Sequence, residues 1–410
     1  MSSPLPWSSW SWRSGRRGCW RNGPPNGFDV TSSVWPALAA LVVSAVGVLA
    51  LLLAEKQWAV IAIIIAAGAA MFLARRFDWN ERIRRSGAAN SRKVFLAAMV
   101  LVVGAAFVMR EHNFALLMLC TVMLMMVAGL GLTLQFGQAG VVNFAGAAFF
   151  GIGAYAAAVF ATKTALPHLL VILAGGFFAA LIGSVLVLPL LRTRGHYTAL
   201  ITIAFGILFK TFLEVNDALG GPQGLKVPGF VLFGHAFNDP IEIDEETEWS
   251  FYLAYAGLSL LLVAAAYAFV RRLERSWIGL AFDAVRIDET AASAFGVNVA
   301  AWKIAAFSIG NFLIGVAGAA YAMMTGFVAP TSFTFGDSLI LVSIVILGGL
   351  GSALGLIPAA LVVVVLPEKL QAIQEYRFLL FALLVIVILL VRPGGLLPRA
   401  LRDYRVGAPR

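Results

Sequence analysis

Charged residues are scarce in this 410-residue chain, because Asp, Glu, Lys and Arg together make up only 12% of it. Soluble domains carry about 25%. The two cysteines, Cys19 and Cys120, and the four scattered histidines lack the spacing of a metal site or a disulfide framework. No Gly-x-x-x-x-Gly-Lys-Ser/Thr motif occurs, so the sequence offers no phosphate-binding loop. These shortages exclude a soluble globular domain and argue against a metalloenzyme or a nucleotide hydrolase.

Apolar residues account for 60% of the chain and occur in long unbroken runs. A membrane-spanning helix needs about 20 such residues, and unbroken runs lack the alternation of barrel strands. The predicted fold class is an all-α polytopic membrane protein with about 10–12 transmembrane or half-spanning helices. Eleven segments form it: about 33–54, 58–74, 94–109, 114–135, 140–161, 167–191, 197–215, 250–270, 303–325, 337–366 and 376–391.

The loops differ in charge, and this predicts their side of the membrane because Lys and Arg concentrate in cytoplasmic loops. Loop 75–93 holds seven basic and two acidic residues, whereas loop 216–249 holds seven acidic residues and one lysine. We therefore expect loops 75–93 and 271–302 in the cytoplasm and 216–249 outside. Residues 1–32 are predicted to be a basic, disordered cytoplasmic tail. The net charge of +9 follows from this bias, so no nucleic acid partner is implied.

The C-terminal tail conflicts with a count of eleven spans. Residues 392–410 carry five arginines and one aspartate, yet eleven spans would place them outside. The thirty-residue segment 337–366 offers an explanation, because Gly348, Gly349 and Gly351 interrupt it and glycine lets the chain turn. Two short helices there would bring both termini, including 399–410, into the cytoplasm. Irregular backbone at membrane depth is tolerated where it lines a cavity, so these glycines are also pathway candidates.

Polar side chains interrupt the apolar stretch 129–155 and the segment 303–325. Gln135, Gln138 and Asn143 are costly if they face lipid, so we expect them to face a cavity, a second subunit or one another. Ser308 and Asn311, in segment 303–325, are further candidates for the same role. We assign all five residues to the transport pathway or a subunit interface. The glycines that surround the first three have a simpler interpretation as helix-packing residues.

The cytoplasmic loop 271–302 has helical periodicity. Ile278, Phe282, Val285 and Ala292 recur at near-helical spacing, which predicts one short amphipathic helix after Ser276. Gly296, with Asn298 after it, is expected to end that helix. Such a helix can dock into a groove of another protein or lie on the membrane as a connector, and the periodicity fits both.

The same loop carries a resemblance. GLAFDAVRIDETAASAFGVNVAAWK (279–303) resembles the cytoplasmic loop of ATP-binding-cassette importer permeases, specifically the branched-chain amino acid permease family. GLGLTLQFGQAGVVNFAGAAFFGIGAY (129–155), RTRGHYTALITIAFG with the later GGPQGL, and Arg392-Pro-Gly-Gly-Leu are similar to further motifs of that family. The resemblance covers a permease domain of about 94–398. Residues 33–93, a two-helix extension with its basic loop, resemble the start of the longer of the family's two permease subunits.

The resemblance implies a permease subunit of an ATP-driven importer for branched-chain amino acids in the bacterial inner membrane. It implies four kinds of partner: a second permease subunit, two ATPase subunits, an extracytoplasmic solute-binding protein and membrane lipid. This chain would bind no cofactor and no metal and catalyse no reaction, and the ATPase subunits would use ATP. The coupling residues implied by the loop match are Arg286, Asp288, Glu289, Ala291, Ala292 and Gly296, although Glu289 lies one place early relative to the family's motif.

Two alternatives remain at the level of the sequence. The first is the same type of importer carrying urea or short amides, whose permeases look alike. The second is an ion-coupled secondary transporter, which would place ionisable groups inside its spans. Segments four to nine hold none well inside, since Lys210 and Glu214 lie near a predicted end.

Overall fold

The computed structural model describes residues 34–54, 56–76, 91–191, 196–232, 235–238, 241–244 and 247–369, with a few isolated positions besides. The predictions for the tails 1–32 and 399–410 lie outside the described residues. So do those for most of loop 75–93 and most of segment 376–391.

The described chain is built almost entirely of helices. They are α1 (Trp35–Leu53), α2 (Gln57–Arg76), α3 (Ser91–Val108), α4 (Asn113–Leu132, continued as a π-helix Thr133–Gln138), α5 (Gly146–Lys163), α6 (His168–Leu190), α7 (His196–Val215), α8 (Tyr252–Arg275), α9 (Trp277–Ile287), α10 (Glu289–Ala294), α11 (Val299–Thr325), α12 (Phe335–Gly348) and α13 (Leu356–Ala360, then a π-helical turn Leu361–Val365 and Leu366–Lys369). Eight stretches of the described chain are long and apolar enough to cross a membrane: α1, α4 to α8, α11 and Pro330–Gly348. The prediction of an all-α polytopic membrane protein is confirmed.

Segment 140–161 is helical over less of its length than predicted. Helix α5 begins at Gly146, and residues 139–145 are irregular. Gly140 has φ +70°, outside the right-handed helical region. The Asn143 side chain then accepts a hydrogen bond from the Ala145 backbone N–H at 2.9 Å. A polar side chain therefore replaces the backbone partner that a helix would have supplied here.

The predicted break in segment 337–366 is present. Helix α12 ends at Gly348 and α13 begins at Leu356, with φ +109° at Gly349 and +83° at Gly351. Gly348 packs so closely against Gly355 that a methyl group on either would overlap the other's backbone. The chain reverses direction here, and the two helices are the two short pieces expected from the glycines.

Helix α11 lies at the centre of the bundle and packs against α4, α5 and α6. Glycines bring its backbone into direct contact with its neighbours. A methyl group on Gly318 would overlap the carbonyl oxygen of Phe150 in α5, and one on Gly153 would overlap Gly315. Small residues allow such close approach between membrane helices, where dispersion contacts replace the hydrophobic effect.

The loop between α7 and α8 contains five short strands, and a sixth follows α11. They are β1 (Leu225–Lys226), β2 (Val231–Leu232), β3 (His235–Ala236), β4 (Ile241–Asp244), β5 (Thr247–Trp249) and, after α11, β6 (Phe327–Val328). They form three antiparallel pairs, β1–β6, β2–β3 and β4–β5. The β1–β6 pair ties this acidic loop to the end of α11.

Lys369 joins the end of α13 to the end of α1. Its ammonium donates hydrogen bonds to the carbonyl oxygens of Leu52 at 2.7 Å and Ala54 at 2.9 Å. These carbonyls are left without helical partners at a helix C-terminus, where a cation is favourable. Lys369 therefore places the end of α13 beside the end of α1.

Candidate coupling and pathway site

Loop 271–302, predicted to be cytoplasmic, contains two helices, α9 and α10, where the periodicity predicted one. Asp288 separates them with an extended backbone, φ −156° and ψ +109°. Its side chain accepts hydrogen bonds from the backbone N–H groups of Thr290 at 2.8 Å and Ala291 at 3.0 Å. Aspartate at an N-cap satisfies donors that a continuing helix would have bonded. The single-helix prediction was wrong because Asp288 starts a new helix.

The apolar face of the loop packs inward as its spacing indicated. Phe282, Val285 and Ala292 are buried, and the Phe282 ring meets Trp302 edge to face at a centroid distance of 5.7 Å. Gly296 follows α10 with φ +80°, and Asn298 caps α11 through the Ala301 N–H at 3.1 Å. The predicted end of the amphipathic region is therefore confirmed.

The structure places the six coupling candidates around this helix pair in different settings. Asp288 is the cap between the helices, and Ala292 is buried beneath them, whereas Ala291 is exposed. Arg286 is exposed beside Gly140. Glu289 forms an ion pair with Lys303 at 2.6 Å, which fixes α10 to α11. Their role in coupling stays a prediction.

Four large apolar side chains on this loop are exposed, and the two most exposed of them, Phe295 and Ile287, were not predicted. Phe295 is 89% exposed and Ile287 is 79% exposed, each at the end of a short helix. They do not lie on the helical face that holds Phe282 and Val285. A large apolar residue on the polar face of a helix was the sequence feature that could have identified them. Large apolar side chains that stay exposed on one loop are candidates for an interaction surface. We call Phe295 and Ile287 the exposed apolar pair.

The predicted amide residues meet in the core. The Gln135 amide donates to the Phe307 carbonyl at 3.0 Å and to Asn311 Oδ1 at 2.9 Å. The Asn143 amide donates to Gln135 Oε1 at 2.8 Å and lies 3.2 Å from Asn311 Oδ1. All three side chains are fully buried. Of the three surroundings expected for Gln135 and Asn143, the structure places them against each other and against Asn311.

Gln138 has a different partner. Its amide donates to Glu274 Oε1 at 2.8 Å, and both side chains are buried. Glu274 lies in the last turn of α8, where Arg271 approaches its other oxygen at 3.4 Å. Glu274 was not predicted as a buried partner, because an acid among arginines at the end of a span resembles a solvated helix end.

The remaining pathway candidates separate into two groups. Ser308 Oγ lies 2.6 Å from Ser184 Oγ and so links α11 to α6. Gly351, at the break between α12 and α13, packs directly against Gly137 in the π-helix of α4. The turn at Gly348 and Gly349 also receives a hydrogen bond from later in the chain, from the Leu396 N–H to the Leu347 carbonyl at 2.8 Å. Two contacts therefore hold the break between α12 and α13 in place, one with α4 and one with Leu396.

Replacing Asn311 with leucine should destabilise the core, because Gln135 and Asn143 would lose an acceptor in an apolar environment. An unsatisfied buried amide costs about 1–3 kcal/mol. We expect a clear fall in apparent melting temperature in detergent for Asn311→Leu and little change for Ser308→Ala. An unchanged melting temperature with altered transport would instead indicate that Asn311 faces the pathway.

A comparison with known proteins gives a family match that covers the regions described above. The family described as branched-chain amino acid transport system permease component matches residues 114–390. The chain belongs to this family. The match begins in α4 and takes in the loop with α9 and α10, so the family prediction made from the loop and the glycine-rich segment is confirmed. As a member of this permease family, the protein is a multi-pass membrane transport subunit.

Two similar relatives carry the name high-affinity branched-chain amino acid transport system permease protein LivM. The one from Escherichia coli K12 is 33% identical over 329 residues, and the one from Salmonella typhimurium is 32% identical over 328. Each alignment covers 76% of this chain and 76% of the relative. A probable LivM of Methanocaldococcus jannaschii is 24% identical over 56% of this chain and 68% of its own. No solved structure matches this permease family member.

Proposed function

We propose that this chain is a permease subunit of an ATP-binding-cassette importer for branched-chain amino acids. The observation that carries the proposal is the 33% identity to the Escherichia coli permease protein over three quarters of both chains. The protein would reside in the bacterial inner membrane. Its partners would be a second permease subunit, two ATPase subunits and an extracytoplasmic solute-binding protein.

The cytoplasmic helix pair α9–α10 is the proposed docking site for an ATPase subunit. The exposed apolar pair, Phe295 and Ile287, would enter a groove of that subunit, because burying large apolar side chains drives protein association. Asp288 and Gly296 give the pair its shape by capping α10 and allowing its terminal turn. The loop is continuous with α8 on one side and α11 on the other. A displacement of the loop would therefore be transmitted to the centre of the bundle.

The proposed pathway wall includes the irregular backbone near the cytoplasmic end of the bundle. Gln135, Asn143 and Asn311 fix one part of it, and the break at Gly348, Gly349 and Gly351 forms another. Both parts depart from regular helix, and their backbones can therefore change conformation without breaking a continuous ladder of hydrogen bonds. In this proposal the second permease subunit supplies the opposite wall.

Reconstitution tests the function directly. The chain is co-expressed with the candidate partner subunits, purified and placed in vesicles with ATP on the ATPase side. We expect uptake of radiolabelled leucine that requires ATP, the binding protein and both permeases, and no uptake when any one is omitted. Leucine uptake without the ATPase subunits, or ATP-driven uptake of urea but not leucine, would contradict the proposal.

A further inference from the structure

Residues 133–145 depart from regular helix at the end of α4. The π-helix Thr133–Gln138 is followed by the irregular stretch that precedes α5. π-Helical turns within helices are rare and occur often at functional sites. We call residues 133–145 the connecting segment.

The connecting segment touches the cytoplasmic loop at two points. Gly140 faces Arg286 of α9, so that a methyl group there would lie 3.5 Å from Arg286 Cγ and 3.6 Å from its Cα. Gln138 bonds Glu274, three residues before the start of α9. A displacement of α9 therefore acts on this segment through direct contacts.

The same segment touches the core at two further points. Gln135 bonds the Phe307 carbonyl and Asn311, both on the central helix α11. Gly137 packs on the Gly351 backbone at the break between α12 and α13. These contacts connect the loop to both irregular parts of the proposed pathway wall.

The Gln138–Glu274 hydrogen bond is strong and buried, so it can hold the two helix ends together when one of them is displaced. An ionised acceptor makes a shorter and stronger bond than a neutral one. Gln138 is 1% exposed and Glu274 is 6% exposed, so water cannot easily replace either partner. Separating the two would leave a buried carboxylate with fewer donors, which is costly in a low-dielectric environment.

We propose that the connecting segment transmits movement of the cytoplasmic loop to the pathway wall, with Gln138 and Glu274 as the positioning residues that link them. This inference rests on the proposed function. When an ATPase subunit displaces α9, the Gln138–Glu274 bond holds the end of α4 to the end of α8. The displacement then reaches Asn311 and the break at Gly351 together.

An exchange of the two side chains tests the link. The variants are Gln138→Glu, Glu274→Gln and the double exchange Gln138→Glu/Glu274→Gln, each assembled with its partners in vesicles. Gln138→Glu opposes two carboxylates and should lower the leucine transported per ATP hydrolysed at least tenfold. Glu274→Gln keeps an amide-to-amide bond and should stay within about threefold of wild type. The double exchange restores an amide–carboxylate bond and should recover most of the ratio.

Transport per ATP separates transmission from stability, because it is measured only on assembled complexes. A purely structural role would reduce the amount of complex or its melting temperature and leave this ratio unchanged. That result, or a double exchange no better than Gln138→Glu, would overturn the inference. Failure of the wild-type complex to take up leucine with ATP would instead overturn the proposed function.

Discussion

Replacing Phe295 with aspartate is expected to remove most ATPase from the purified complex and to lower ATP-driven leucine uptake at least tenfold. Phe295 is the most exposed large apolar side chain described, at 89%. Aromatic anchors at protein interfaces commonly contribute 2 kcal/mol or more, about a thirtyfold change in affinity. An aspartate in the same groove would also have to lose its hydration. Co-purification of the ATPase and uptake in vesicles measure the two effects.

Phe327 provides the matched control for this substitution. It is 48% exposed and lies on β6, which pairs with the acidic loop predicted to be outside. Phe327→Asp makes the same chemical change away from loop 271–302, so ATPase co-purification should be unchanged. A Phe295→Asp complex with the wild-type amount of ATPase would show that this side chain is not part of the docking surface.

Adding a single methyl group at Gly318 should destabilise the bundle strongly. The new Cβ of Gly318→Ala would overlap the Phe150 carbonyl oxygen, a backbone atom that cannot rotate away. Overpacking costs about 1–3 kcal/mol when side chains can adjust, and α5 and α11 would have to separate here. We expect a large fall in apparent melting temperature and a reduced yield of monodisperse protein, measured by thermal shift and size-exclusion chromatography.

Gly257 in α8 is the control for this experiment, because no atom lies within 4 Å of the position its Cβ would take. Gly257→Ala should leave the melting temperature unchanged or raise it slightly, since alanine is the better helix former. Equal losses in the two variants would mean that the glycine contact between α11 and α5 is not what holds the bundle together.

The helices could be predicted from the sequence because long apolar runs leave few other structures for a chain in lipid. The break after Gly348 was predictable for a related reason, since charge in the tail and length of the run both required it. The start of α5 was not, because Asn143 replaces a helical hydrogen bond with one from its own side chain. Asp288 divided the predicted helix of loop 271–302 in the same way.

The sequence predicted which types of residue form the site. It did not predict which of these residues contact one another. Buried amides were expected to need partners, yet Gln138 finds its partner 136 residues later, in Glu274. Gly137 and Gly351 meet across a still longer separation. No local periodicity encodes such contacts, because they depend on how separate helices pack. The exposed apolar pair, Phe295 and Ile287, was not predicted, because the helical periodicity identified only the residues on the buried face.

The backbone contacts between α11 and α5 limit how this protein can move. Where a carbonyl oxygen rests directly against a glycine, as at Phe150 and Gly318, no flexible side chain is present to absorb sliding. We therefore expect helices α5 and α11 to move as one rigid body in any rearrangement of the bundle. Bending is then expected at the irregular backbone of residues 133–145 and 349–355, which lies outside these two helices.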